Sequence, residues 1–304
     1  MKTIRSAALI GLGALGILFG RPMAETLPEG SFTVIADEAR AARYRSAPIS
    51  SNGVPCRFSY TAPAAGAPAD LVLVAVKATA LPQAVADIAR FVGPDTVILS
   101  VLNGITSEDV LEAAYPGHCL WSVAIGMDAT RTERTLLYKN PGKIQFGERD
   151  GSLTDRTAAV QEFLARCQIP HQLCTDILYK QWYKLMVNDG LNQAAAAFGL
   201  NYGGLNASEE AKAVMLQAMH ETIAAAHAEG IPLPDNAAER WAEKNLPTFN
   251  SDGMPSMLQD VLAGRLTEVE EFAGIVRRIS ARHGLPTPAN DFYYDRIRQI
   301  EAEY

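Results

Sequence analysis

The stretch Gly11-Leu12-Gly13-Ala14-Leu15-Gly16 constrains the fold of this chain more than any other. The run before it, Ser6-Ala7-Ala8-Leu9-Ile10, is apolar and of strand length, and the residues after it continue as a helix. Three glycines at this spacing therefore mark a strand-to-helix turn of the dinucleotide-binding kind. The first permits the tight turn, the second lets backbone approach a pyrophosphate, and the third lets helix pack on strand. The helix start adds amide donors for the anion. Two readings compete: a glycine-rich turn without a ligand, and a secretory signal built from Lys2, Arg5 and the apolar run Ala7 to Phe19. Glycines interrupt that run, and Gly20-Arg21-Pro22-Met23 is a poor small-residue cleavage site, which favours strand and turn.

Further strands follow in the order that such a turn demands. Phe32 to Ala36 reads as a second strand ending at Asp37, about twenty residues beyond the glycines, where an acid bonds ribose hydroxyls and favours NAD. Arg40 and Arg43 follow closely and could instead pair with a 2′-phosphate, or form a solvated helix face with Arg45. Asp70 to Val76 is a nearly continuous apolar run, the mark of a central parallel strand, with Lys77 at its carboxyl end. Thr96 to Val101 repeats the pattern and leads into Leu102-Asn103-Gly104. Ligands of open α/β sheets bind outside those ends, so Lys77 and Asn103 are candidates for the cofactor side, against a plain surface lysine and a plain Asn-Gly turn. With the strand-like Leu120 to Ile125 and Lys143 to Gly147 and the helix-like Asp155 to Cys167, residues 1–176 read as a Rossmann domain, a mostly parallel doubly wound sheet with extra strands.

A chain of 304 residues exceeds the size at which one core usually keeps growing. A second domain, residues 177–304, is expected to be all-α, because helical periodicity takes over there. A net charge of -7 supplies no electrostatic reason to bind nucleic acid or anionic lipid. No segment reaches the roughly 20 uninterrupted apolar residues of a membrane span. Cys56, Cys119, Cys167 and Cys174 lack metal-ligand or disulfide spacing and suit a reducing cytoplasm. No metal is expected, and His220 and His227 on the helix-like stretch Ala207 to Glu229 are read as structural.

The second half centres on Tyr179 to Asn192. As a helix it would carry Lys184, Asn188 and Asn192 at i, i+4 and i+8 on one face, with Leu185, Met186, Val187 and Leu191 on the others. A polar row on a buried helix needs partners, which a polar ligand or neighbouring helices could supply. Further on, Ser256 could cap a helix and Glu268 could face solvent like Glu270 and Glu271.

These blocks, together with Ser256-Met257-Leu258-Gln259-Asp260, Thr267-Glu268 and Thr287-Pro288-x-Asn290, resemble the ketopantoate reductase (2-dehydropantoate 2-reductase) family over nearly the whole chain. The resemblance implies reduction of the ketone of 2-dehydropantoate to (R)-pantoate with NADPH, a step towards pantothenate and coenzyme A. It implies a general acid at Lys184 and a substrate-hydroxyl partner at Glu268. Asn188, Asn192 and Ser256 would bind the substrate's hydroxyl and carboxylate ends, and Lys77 and Asn103 would serve the cofactor and carbonyl region. Residues 177–304 then form the substrate-binding and catalytic domain. Two positions depart from the family pattern. Asp37 stands near the place of a phosphate-binding arginine, which leaves NAD open beside NADP, and Tyr202 precedes Gly203 where an asparagine is usual. A reductase of another small 2-keto acid and a non-catalytic NAD(P) sensor are the rival readings. Oligomeric state stays open, a homodimer being common for helical second domains of this kind.

Overall fold

The computed structural model describes residues 3–304, so Lys2 lies outside it. Contacts divide the chain into two units, Met1–Ile177 and Leu178–Tyr304. In the first unit the strands are β1 Ala7–Ile10, β2 Phe32–Ile35, β3 Ser50–Ser51, β4 Val54–Pro55, β5 Tyr60–Thr61 and β6 Leu71–Val74. They continue with β7 Val97–Ser100, β8 Cys119–Met127, β9 Thr130–Thr132, β10 Thr135–Leu137, β11 Pro141–Gly147 and β12 His171–Leu173. Its helices are α1 Ala14–Thr26, α2 Glu38–Ser46, α3 Leu81–Asp87, α4 Ser107–Ala114 and α5 Asp155–Arg166.

The main sheet runs β12-β11-β8-β7-β6-β1-β2-β5, parallel throughout except where β11 meets β8. β1, β6 and β7 are buried along their whole length, as expected for strands covered on both faces. The chain leaves β1 to build β2 on one side and returns to add β6 on the other, so the switch point of the sheet lies between β1 and β6. The apolar run once compatible with a signal sequence is β1 and the first part of α1; Leu9, Ile17 and Phe19 are core residues. Four short strands form a separate sheet, β4-β3-β10-β9. Strands of two or three residues carry no readable periodicity, and the sequence did not announce them.

In the second unit the helices are α6 Ile177–Val187, α7 Gln193–Phe198, α8 Tyr202–Ala207, α9 Glu209–Ala228, α10 Ala237–Asn245, α11 Ser256–Leu262, α12 Ile275–Arg282 and α13 Pro288–Glu301. Its core gathers Met215, Met219, Phe272, Val276, Tyr293 and Ile297. α9 starts at Glu209, two residues later than the sequence suggests, because Ser208 caps it by accepting the Ala211 amide at 3.2 Å.

Tyr179 to Asn192 is not a uniform α-helix: α6 gives way to a π-turn at Asn188–Asn192 before α7 resumes. A second π-turn occupies Glu270–Gly274, and the two touch. Close packing sets the first one against α9. A Cβ at Gly190 would stand 2.5 Å from Met219 Cγ and 3.0 Å from the Met215 carbonyl oxygen, so only glycine lets the turn approach.

Candidate functional site

At the carboxyl ends of β1 and β6 the glycine loop closes on itself. Gly11 has φ +95°, and a Cβ there would lie 2.5 Å from the Ala75 carbonyl oxygen; one at Gly16 would overlap the Gly11 carbonyl. Gly13, by contrast, meets only Ala75 O at 3.7 Å, which leaves its outer side open. As the N-cap of α1, Gly13 offers no side chain to the first-turn amides, so those donors face outward for an anion. A cradle of this shape suits a pyrophosphate. Beside it lies an open cleft lined by Gly11, Leu12, Asp37, Arg40, Tyr44 and Gln83 among others.

Asp37 and Arg40 reach that cleft already engaged with each other. Asp37 caps α2, accepting the Arg40 amide at 2.7 Å, and its other oxygen pairs with Arg40 Nε at 3.3 Å. Both side chains stay largely exposed, so this is a surface pair at the rim of the cleft. Arg43 and Arg45 are exposed; Arg45 lies over the Tyr60 ring at 5.8 Å. Lys77 is exposed at the start of a short 3-10 turn, Ala78–Ala80, beyond β6, and Asn103 is half-buried beyond β7, beside Gly104 with φ +89°. Asp37, Lys77 and Asn103 each follow the carboxyl end of a strand of the same parallel sheet, β2, β6 and β7.

Under the Asn103 loop lies a buried network that the sequence reading missed. Glu108, 2% exposed, accepts Ser107 Oγ at 2.9 Å and the Ser122 amide at 3.2 Å. Ser107 and Ser100 hydroxyls meet at 2.7 Å, and Ser100 Oγ accepts the Leu102 amide at 3.3 Å. Burial pushes the Glu108 carboxyl up to about 7, against hydrogen bonds that pull it down.

In the second unit Lys184 and Asn188 are half-buried and Asn192 is buried. Four residues of α-helix overshoot a full turn by about 40°, so a row at i, i+4 and i+8 drifts around the axis. A π-turn is wider, and four residues fall short of a full turn. By ideal geometry, a π-turn between Asn188 and Asn192 offsets that drift. The wider turn also frees backbone donors, and Gln193 takes one of them. Gly274 N–H goes to the Val269 carbonyl, which leaves the Ala273 amide to bond Gln193 Oε1 at 3.2 Å. Gln193 Nε2 in turn donates to Asp189 Oδ1 at 2.7 Å and to its carbonyl at 3.0 Å. One fully buried side chain thus clips the two π-turns together.

Asp189 is also fully buried and accepts Thr222 Oγ1 at 2.8 Å. Burial pushes its carboxyl up to about 8, with Glu221 adding to the push against hydrogen bonds from Thr222, Asn290 and Gln193. Glu221 accepts the amides of Ala289 and Asn290 at 2.8 and 2.9 Å and Asn290 Nδ2 at 2.8 Å. The closing Thr287-Pro288-x-Asn290 block is therefore a docking point of α13 on α9.

Glu268 is half-buried two residues before the second π-turn. Glu270, the residue it was compared with, does not simply face solvent: Tyr294 donates to it at 2.5 Å, and Arg298 and Arg278 pair with it. Ser256 is exposed as the first residue of α11; Pro255 is the N-cap and no side chain caps the helix, which corrects the capping reading. α11 packs on α7 and the first π-turn. Tyr202 opens α8, its ring stacked on Phe249 at 4.5 Å, while Asn201 caps the helix through the Gly204 amide at 2.8 Å. His220 bonds Glu239 and His227 bonds the Leu233 carbonyl, each at 2.6 Å. All four cysteines are buried and none is in a disulfide, and no helix among the described residues is long and apolar enough to cross a membrane.

Comparison with known proteins converges on one family. The ketopantoate reductase PanE/ApbA model matches residues 7–151, and the model of its C-terminal part matches residues 176–301. A 2-dehydropantoate 2-reductase of Streptococcus pyogenes serotype M6 is 27% identical over 236 residues, 77% of this chain and 76% of that protein. The crystal structure of a PanE/ApbA family ketopantoate reductase from Ralstonia eutropha superposes with TM-score 0.82 at 25% identity, covering 98% of this chain and 99% of that one. D-mandelate dehydrogenase with NADH and anilino(oxo)acetate shares the fold at TM-score 0.84 and 22% identity, with 98% of both chains covered. Both halves match the family in order, and the chain belongs to the ketopantoate reductases.

Proposed function

We propose that this protein is an NAD(P)H-dependent oxidoreductase that reduces the ketone of 2-dehydropantoate to (R)-pantoate. The observation that carries the reading is the i, i+4, i+8 spacing of Lys184, Asn188 and Asn192 on the helical stretch that runs from α6 into a π-turn. Bound at the glycine loop, a reduced nicotinamide supplies the hydride. Hydride arrival leaves negative charge on the ketone oxygen, and the Lys184 ammonium stabilises that charge and then gives up a proton to it. Asn188, Asn192 and Ser256 hold the hydroxyl and carboxylate ends, and Glu268 accepts the substrate hydroxyl. Lys77 and Asn103 serve the cofactor side, Asn103 reaching the carbonyl region as well. A homodimer completes the proposal, since a dimeric ketopantoate reductase from Staphylococcus aureus shares this fold at TM-score 0.83.

NADP is the proposed cofactor, with Arg40 turning from Asp37 to a 2′-phosphate; NAD is the alternative if Arg40 keeps Asp37 as its partner. Tyr202 supports a second reading, a different small 2-keto acid, because its aromatic ring replaces a short amide. The deciding experiment follows nicotinamide oxidation with 2-dehydropantoate and a panel of 2-keto acids, each with NADPH and NADH. Turnover of 2-dehydropantoate well above the panel supports the first reading. Preference for another acid moves the assignment to the second, and binding of dinucleotide without turnover of any acid makes the protein a sensor.

A further inference from the structure

Arg131 lies far from the glycine loop in sequence, yet its guanidinium Nη1 donates to the Leu12 carbonyl between Gly11 and Gly13. Nε of the same group donates to the Glu133 carbonyl at 3.0 Å, so the planar fork is held at two points. The residue is carried by the β9–β10 hairpin, which itself is firmly seated. Leu136 is fully buried, Thr135 pairs with Ser50 across β10 and β3, and Arg134 Nη1 donates to the Ala47 carbonyl at 2.6 Å. Asn52 clamps Tyr138 through both backbone groups, at 2.9 and 3.0 Å. The small sheet therefore delivers one cation to one carbonyl of the loop.

That carbonyl belongs to a trans peptide, in which C=O and the following N–H point in opposite directions. Holding Leu12 O on the hairpin side turns the Gly13 N–H to the other side, the open side where a Cβ on Gly13 would meet almost nothing. Glycine on both sides of Leu12 makes this peptide plane easy to rotate, and nothing in its own side chains would stop it. A loop that samples several orientations binds an anion less well than one held in the binding orientation. We propose that Arg131 is a positioning residue for the dinucleotide pyrophosphate, locking the Leu12–Gly13 peptide so that its amide faces the anion. This inference rests on the cofactor reading above and names a residue that reading does not use.

Calorimetric titration of the full chain tests it, using NADPH, ADP-ribose and adenosine as probes against wild type, R131A and R131K. ADP-ribose carries the pyrophosphate and adenosine does not. R131A is expected to weaken NADPH and ADP-ribose by about tenfold, the scale of one charge-assisted hydrogen bond, and to leave adenosine unchanged. R131K, which keeps a donor but loses the two-point fork, is expected to recover part of the loss. Unchanged ADP-ribose affinity in R131A overturns the proposal. Equal loss of adenosine and ADP-ribose also overturns it, since that pattern means a damaged fold. Wild type that binds no dinucleotide removes the cofactor reading itself and this proposal with it.

Discussion

Glu108 is a carboxyl with almost no water around it, and its chemistry can be read in pH. Unfolded, a glutamate titrates near 4.5; in the native chain Glu108 holds its proton up to about 7. Between those values the native state binds more protons than the unfolded state, so stability is full below the window and is lost as pH rises through it. Urea melts at stepped pH are expected to show that fall, and E108Q, which cannot ionise, to flatten it and to exceed wild type above pH 7. α4, which carries Glu108, follows the Asn103 loop directly, so if Asn103 serves the cofactor, E108Q should also reduce the pH dependence of NADPH affinity. Lys184 makes a different prediction. If it is the general acid, K184A lowers kcat by roughly 10²–10⁴-fold while the NADPH dissociation constant stays put; unchanged turnover would remove it from the mechanism. The two residues also differ in legibility. Lys184 announces itself through a fixed spacing to Asn188 and Asn192, whereas Glu108 depends on Ser100 and Ser122, residues brought to it by strand pairing and invisible to any local pattern.

The elements that matter most are the two π-turns, and their coupling rests on Gln193. Q193L keeps the volume but removes both hydrogen-bonding ends. The Ala273 amide and the Asp189 carboxyl then each lose a buried partner, at a cost of about 1–3 kcal/mol apiece. We expect Q193L to unfold at clearly lower denaturant and, in the folded enzyme, to raise KM for the keto acid more than KM for NADPH. An equal rise in both would mean that the clip is purely structural. Helical periodicity made α6 and α9 legible, because 3.6-residue spacing of apolar positions is a local property. A π-turn differs from α by one residue per turn and leaves no such trace in Asn188 to Asn192. What stabilises it is remote: a methionine-bearing face of α9 close enough to exclude any Cβ at Gly190, and an amide in a second π-turn that needs Gln193.

At the scale of the whole chain, a ligand held by residues 1–177 acts first on the unit that holds it. A dinucleotide seated at the glycine loop stabilises the native state by about 2.7 kcal/mol at a concentration one hundred times its dissociation constant. Scanning calorimetry with NADPH is therefore expected to raise the unfolding midpoint of residues 1–177 first; a midpoint insensitive to NADPH and NADH alike would count against cofactor binding there. Much of this architecture is local information. Gly11, Gly13 and Gly16, the continuous apolar runs of β1, β6 and β7, and the change from strand to helical periodicity after β12 determine a parallel α/β half followed by a helical half. These features speak because each depends on backbone sterics or side-chain period within a few residues. Tertiary structure alone decided that Asp37 and Arg40 bind each other at the cleft, that Glu108 and Asp189 hold their protons near neutrality, and that Arg131 reaches Leu12. Each of those depends on burial and on partners distant in sequence, and dehydration of a charge or the seating of a hairpin exists only once the chain has packed.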